Sequence, residues 1–251
     1  MTRKPERNIL VYIKQLKRPI FTTHELISLS GKSASAVTQA LNYLVKQGLL
    51  IKVYRGVWVE ADQKISPYSV APFLRPENRV YVSFLSALHL HGIVEQIPQV
   101  MTLASTAHSA TLRTALGVFH LHRIAPEFFA GFDWYRGEGN FLIAEPEKAL
   151  VDCLYLSAHK KRQYGFFPEL RWAGALSLTR VNDWVKRIPS PRIRLVVKKK
   201  LEGIKQQYKG YRCTKEVNSP QSPVHRKEIK RVDSPQSTVN GKEIKRVHSP
   251  L

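Results

Sequence analysis

The chain has 251 residues, enough for two modest domains with cores of their own, and 43% of them are apolar, as in a globular protein. It holds no run of 18 apolar residues, which argues against a membrane-spanning helix. Its two cysteines, Cys153 and Cys213, lack a metal-type spacing and suit a reducing cytoplasm. With 40 basic residues against 19 acidic ones the net charge is +21, a surplus that implies a polyanionic partner, nucleic acid ahead of acidic protein or membrane surface.

The surplus is uneven. Residues 1–62 hold 10 basic and 4 acidic side chains, and residues 63–180 hold 12 and 9. Residues 181–210 hold 9 and 2, and residues 211–251 hold 9 and 4. The middle is close to balanced and both ends are basic.

Pro5 suits the first turn of a helix, Ile9, Leu10, Ile13 and Leu16 mark that helix's buried side, and Pro19 stops it. Thr22 and Glu25 form a capping box for a second helix with Leu26, Ile27 and Leu29 inward. Ser30-Gly31-Lys32 is a tight turn. From Ser33, a capping residue, to Gly48, a stop, runs a third helix with Val37, Leu41, Leu44 and Val45 on one side. Its other side carries Ser35, Thr38, Gln39, Asn42 and Lys46, short polar groups and a cation that can meet base edges and phosphates.

After Gly48 the period becomes two, with Leu49, Ile51 and Val53 alternating with Leu50, Lys52 and Tyr54. Tyr54-Arg55-Gly56 turns the chain and Val57-Trp58-Val59 returns, leaving Arg55 at the tip of a hairpin and Trp58 in the core. Three helices with a short turn and a hairpin make a winged helix-turn-helix. The expected duplex contacts are Lys32, Ser33, Ser35, Thr38, Gln39, Asn42, Lys46, Lys52, Tyr54 and Arg55. Of these, Gln39 and Asn42 can pair with adenine, the lysines with phosphate, and Arg55 with a narrow minor groove.

Residues 63–79 contain Pro67, Pro72 and Pro76 and read as a surface linker, which places the first domain at 1–62. A second domain, 80–210, opens on a helix capped by Ser83 and ending at Gly92. Val100–Leu103, Val118–Ile124 and Phe141–Ala144 read as strands. Glu145-Pro146-Glu147-Lys148 then starts a helix with acidic groups at its positive end and Ala149, Leu150, Cys153, Leu154 and Ser157 inward, so Cys153 is a small buried hydrophobe. Ser190-Pro191 starts a last helix with Val197, Leu201, Ile204 and Tyr208 on one side. Arg192, Arg194, Lys198, Lys199 and Lys200 on its remainder form a second basic surface. The fold class is therefore α+β: a winged helix-turn-helix, a mixed C-terminal domain and a basic tail.

In that tail, residues 211–251, Ser219–Asp233 recurs as Ser234–His248 with 11 of 15 positions identical. So few apolar residues cannot build a core, and the segment reads as disordered, either a relic of duplication or a source of sequence-independent affinity.

Catalytic signatures are missing. His89 and His91 diverge on a helix, and His120 and His122 share a strand face without further ligands nearby in the sequence. A (D/E)-x-K nuclease motif would need an acid where Pro146 stands. No phosphate loop, cysteine cluster or nucleophile motif occurs, so neither an enzyme nor a metal or other cofactor is expected.

Several of these stretches resemble the AbiEi-like antitoxins of type IV (AbiE) toxin–antitoxin systems. They are Gly48-Leu49-Leu50 with Tyr54-Arg55-Gly56-Val57-Trp58, Tyr81-Val82-Ser83 with Ser86-Ala87-Leu88 and Gly92, Pro98 to Thr102, and Ile143-Ala144-Glu145-Pro146-Glu147-Lys148-Ala149-Leu150-Val151-Asp152. The likeness covers about residues 5–208 and leaves out the tail. It implies a bacterial, nucleoid-associated protein whose winged helix binds inverted repeats in its own promoter. Its C-terminal domain would counter a nucleotidyltransferase-like toxin without a stable complex. A generic winged-helix regulator, an RNA-directed protein and a protein-interaction module stay open as alternatives.

Overall fold

The computed structural model describes residues 8–159, 169–171 and 176–217. Asn8 opens α1 (Ile9–Gln15), its side chain accepting the Leu10 N–H at 3.3 Å; the expected role of Pro5 falls outside the described residues. After β1 (Ile20–Thr22) the capping box forms as the sequence predicts. Thr22 Oγ1 accepts the Glu25 N–H at 3.2 Å and Glu25 Oε2 accepts the Thr22 N–H at 2.8 Å, which fixes the start of α2 (Thr23–Ser30). Gly31, at φ 66°, ends it in the left-handed conformation that a side chain would resist. Ser33 caps α3 (Ala34–Lys46) by accepting the Ala36 N–H. Strands β2 (Leu50–Tyr54) and β3 (Val57–Glu60) complete a three-stranded sheet in the order β1-β3-β2.

The helices and this sheet enclose a small core of Ile9, Ile13, Phe21, Leu26, Val37, Leu41, Leu44, Leu50 and Trp58. Within it the Trp58 indole N–H donates to Thr23 Oγ1 at 2.8 Å, so the one polar atom of a fully buried ring is satisfied. Leu50 is buried in this core, whereas Leu49 and Ile51 are exposed and Val53, an odd number of residues from Leu50, is buried on the opposite face of the sheet. The pairing of β2 with β3 shifts between Lys52 and Tyr54.

That opposite face is covered too. Ile20, Val53, Val57 and Val59 belong to a second, larger core formed with the rest of the chain. Residues 63–79, expected as a linker, also enter it: a 3-10 turn (Pro67–Val70) leads into α4 (Ala71–Leu74), and Val70, Ala71 and Leu74 are buried. Proline is compatible with both, since each carries one in its first turn.

The larger core is built on a six-stranded sheet, and α5 (Phe84–Leu90) follows its first strand, β4 (Val80–Val82). The others are β5 (Met101–Ser105), β6 (Ala110–Thr114), β7 (Gly117–Arg123), β8 (Phe132–Trp134) and β9 (Leu142–Ala144). Their order is β6-β7-β5-β4-β9-β8, with β5–β7 and β4–β9 parallel and the other pairs antiparallel. Helices α6 (Pro146–His159), α7 (Leu178–Lys186) and α8 (Pro191–Val217) complete the chain's regular structure among the described residues.

Two expectations change here. Helix α6 is buried on every side from Glu147 to Ser157, not along one stripe. Ser83 does not cap α5; its hydroxyl turns instead to Asp152, and the next residue, Phe84, sits at φ 58° with its ring fully buried and edge-on to His122 at 4.9 Å. Left-handed φ is uncommon for a bulky side chain, and here packing holds it.

Candidate nucleic-acid interface

Helix α3 divides cleanly by face. Val37 and Leu41 are fully buried and Leu44 nearly so, while Ser35, Gln39, Asn42 and Lys46 are exposed and Thr38 is half-buried at the flank. The buried residues recur every three or four positions, so the dry side anchors the helix and the polar side is held outward. Lys46 makes no ion pair among the described residues. Ser33 is exposed, with its side-chain oxygen engaged as the helix cap; Lys32, in the preceding turn, is half-buried.

The wing follows directly. Its turn is Arg55-Gly56, with Gly56 at φ 72° and its carbonyl accepting the Thr23 N–H at 2.9 Å. That bond ties the wing to the start of α2, so Arg55 projects from a pinned turn. Lys52 is exposed with its ammonium 5.4 Å from the centre of the Trp58 ring, a cation–π contact that orients it. Tyr54 is half-buried against the larger core and offers less than its neighbours.

Sequence reasoning passed over Tyr43 and Leu49. Tyr43 is 61% exposed beside Gln39, and both line a shallow groove of about 630 Å³ between α1 and α3 with Asn8, Leu10 and Ala40. The only sequence signal was position, since Tyr43 lies one place from Asn42 on the polar side.

The second basic surface splits into two groups. Arg192, Lys198 and Lys199 are exposed on α8. Arg194 is not available: its guanidinium donates twice to the Ile188 carbonyl, at 3.1 and 2.7 Å. Lys200 donates to the Ser157 carbonyl at 3.1 Å and hydroxyl at 2.9 Å, neutralising the negative end of α6. Both act as structural cations.

The most perturbed groups lie far from any surface. Lys148 and Asp152, at i and i+4 on α6, form an ion pair with neither side chain exposed. Asp152 Oδ2 also accepts from Ser83 Oγ at 2.7 Å and from Tyr81 Oη at 3.1 Å, and Lys148 Nζ donates to Tyr81 Oη at 3.1 Å. The ammonium lies 3.9 Å from the centre of the Phe128 ring. Burial lowers the Lys148 pKa and the Asp152 carboxylate only partly opposes it; burial and the same carboxylate raise Tyr81 well above a normal phenol. Buried and hydrogen-bonded to one another, these side chains are part of the core.

Glu147 is buried and accepts the Ser177 N–H at 2.9 Å at the head of α7, so it serves that helix as well as its own. Cys153 is fully buried and its thiol is pushed well up by burial and the Asp152 charge, which leaves it unreactive.

His89 and His91 each meet a backbone carbonyl, of Val94 at 3.2 Å and Ala144 at 2.8 Å, as donors fixing their tautomers. The rings of His120 and His122 are 6.2 Å apart, and no group of three metal-ligating side chains occurs among the described residues. No described helix is long and apolar enough to cross a membrane.

Against this geometry stand the comparisons. Residues 9–61 match a family model described as the AbiEi antitoxin transcriptional regulator. No curated protein matches the chain. The matched span begins at α1 and ends one residue past β3, so it coincides with the winged helix element by element. Over residues 9–61 the winged helix is thus similar to the AbiEi antitoxin transcriptional regulators.

Proposed function

We propose that the protein is a sequence-specific DNA-binding autoregulator and the antitoxin of a type IV toxin–antitoxin system. The observation that carries the reading is the outward face of α3, where Ser35, Gln39, Asn42 and Lys46 stand exposed over a dry core beside an arginine-tipped wing. Gln39 and Asn42 read bases, Lys46, Lys32 and Lys52 meet phosphates, and Ser33, Ser35, Thr38, Tyr54 and Arg55 complete the contact. Exposed Arg192, Lys198 and Lys199 add a second, sequence-independent polyanion contact.

The partners are double-stranded DNA at inverted repeats in the protein's own promoter and, functionally, a nucleotidyltransferase-like toxin that it opposes without a stable complex. This places the protein at the bacterial nucleoid, with a regulatory and not a catalytic role. The antitoxin half of the reading rests on the likeness of residues 143–152, since the family match ends at residue 61.

Binding of the full chain to its promoter fragment and to random duplex, across a salt series, tests the DNA half. Asn42→Ala and Gln39→Ala lower the preference for promoter, and Lys46→Ala weakens both duplexes alike. Equal effects of all three on both duplexes would overturn the assignment. Co-expression with the product of a neighbouring nucleotidyltransferase-like gene tests the other half: growth is restored by the full chain, and unrelieved toxicity would overturn it.

A further inference from the structure

The wing is not a free hairpin. Strand β2 is the outer strand of the three-stranded sheet and β6 the outer strand of the six-stranded one. The two meet where Val53 O accepts the Ala115 N–H at 3.0 Å. Two exposed sheet edges are thereby closed against each other at one point.

Ala115 lies in the turn between β6 and β7, and that turn is locked. Thr114 Oγ1 donates to the Gly117 carbonyl at 2.8 Å and accepts the Leu116 N–H at 3.1 Å. Gly117, at φ 129°, holds a backbone conformation that a side chain would resist. A rigid second hairpin therefore abuts the wing two residues from its arginine.

Arg113 lies on that hairpin, two residues before the junction and paired across the ladder with Val118. Its side chain is exposed and makes no ion pair among the described residues. A strand advances by about 3.3 Å per residue, so the Arg113 and Arg55 backbones lie no more than roughly 20 Å apart, a few phosphates along one strand of a duplex.

We propose that the β6–β7 hairpin is a second arm of the duplex interface and that Arg113 is a phosphate contact flanking the wing. The proposal rests on the DNA-binding reading of α3 and extends the footprint beyond the segment that matches the family. Arg113 supplies affinity and salt dependence without choosing sequence, because a phosphate is the same at every base.

The test uses the full chain, a labelled promoter duplex and a random duplex of equal length, with affinity measured from low to moderate salt. Arg113→Ala is expected to weaken binding to both duplexes three- to tenfold at moderate salt. It should also flatten the slope of log K against log salt by about 0.9, while the promoter preference is unchanged. Arg113→Lys, which keeps the charge, retains the slope. The melting temperature of each variant is measured alongside, and an unchanged value excludes misfolding at this exposed position. Lys46→Ala run in parallel separates the two ideas. If Lys46→Ala weakens binding and Arg113→Ala leaves affinity and slope at wild-type values, the hairpin arm is wrong and the α3 reading stands. If neither variant changes binding, both fall.

Discussion

Lys148 and Asp152 form an ion pair one helical turn apart on α6, both wholly buried, with Tyr81 and Ser83 completing the carboxylate's hydrogen bonds. Removing one member of such a pair strands the other charge in the core. Asp152→Asn or Lys148→Met is therefore expected to cost about 3–5 kcal/mol, read from urea denaturation. The double variant Lys148→Met/Asp152→Leu should recover part of that loss, because no buried charge is left unpaired while the Tyr81 and Ser83 hydroxyls still lose their acceptor. Additive losses in the double variant would show that the charges are not coupled.

Glu25 offers a pH test. Burial opposes its charge, but the Thr22 N–H and hydroxyl and the Arg18 guanidinium outweigh burial and hold the carboxyl below its usual 4.5. A carboxyl whose pKa is lower folded than unfolded contributes stability that is present above the unfolded value and lost as pH falls through the folded one. Glu25→Gln should cost about 0.5–1 kcal/mol at neutral pH, and the gap between variant and wild type should narrow below about pH 4. Thermal melts at several pH values check the sign.

Neighbours on α3 should behave as opposites. Leu41 is fully buried, so Leu41→Ala is expected to lose about 2–5 kcal/mol of stability and DNA binding with it. Asn42→Ala, one residue on and exposed, should leave stability within about 0.5 kcal/mol while reducing promoter preference. Paired melts and binding curves distinguish them.

On α8 the same contrast separates two kinds of lysine. Lys200→Ala removes the group that donates to the Ser157 carbonyl and hydroxyl and should lower stability by about 1 kcal/mol with little change in the salt slope. Lys199→Ala, at an exposed position, should leave stability alone and flatten the slope if α8 meets the polyanion.

What could be read from the chain was what repeats locally. The stripe Val37-Leu41-Leu44, the Thr22–Glu25 box and the glycine stops all follow from short-range periodicity and capping, and they specify the winged helix. Which residues of β2 are buried was not legible, because alternation alone does not distinguish exposed Ile51 from buried Val53 on the same face. The stretch 63–79 looked like a linker because its prolines outweigh Val70, Ala71 and Leu74, whose burial depends on distant strands. Strand β6, Ala110–Thr114, was missed for similar reasons: one apolar residue, Leu112, faces the core. Ser83 was mistaken for a cap since its true acceptor, Asp152, lies 69 residues away. At the candidate interface, helix period located the outward residues of α3, but only tertiary contacts reveal that Arg194 and Lys200 are engaged elsewhere and that the turn after Arg113 meets the wing through Ala115.

The valines on the reverse of the wing carry one more implication. Val53, Val57 and Val59, with Ile20, are covered by residues from much later in the chain. Severing the chain after residue 62 would bare a greasy patch on an otherwise basic fragment, which should self-associate when expressed alone.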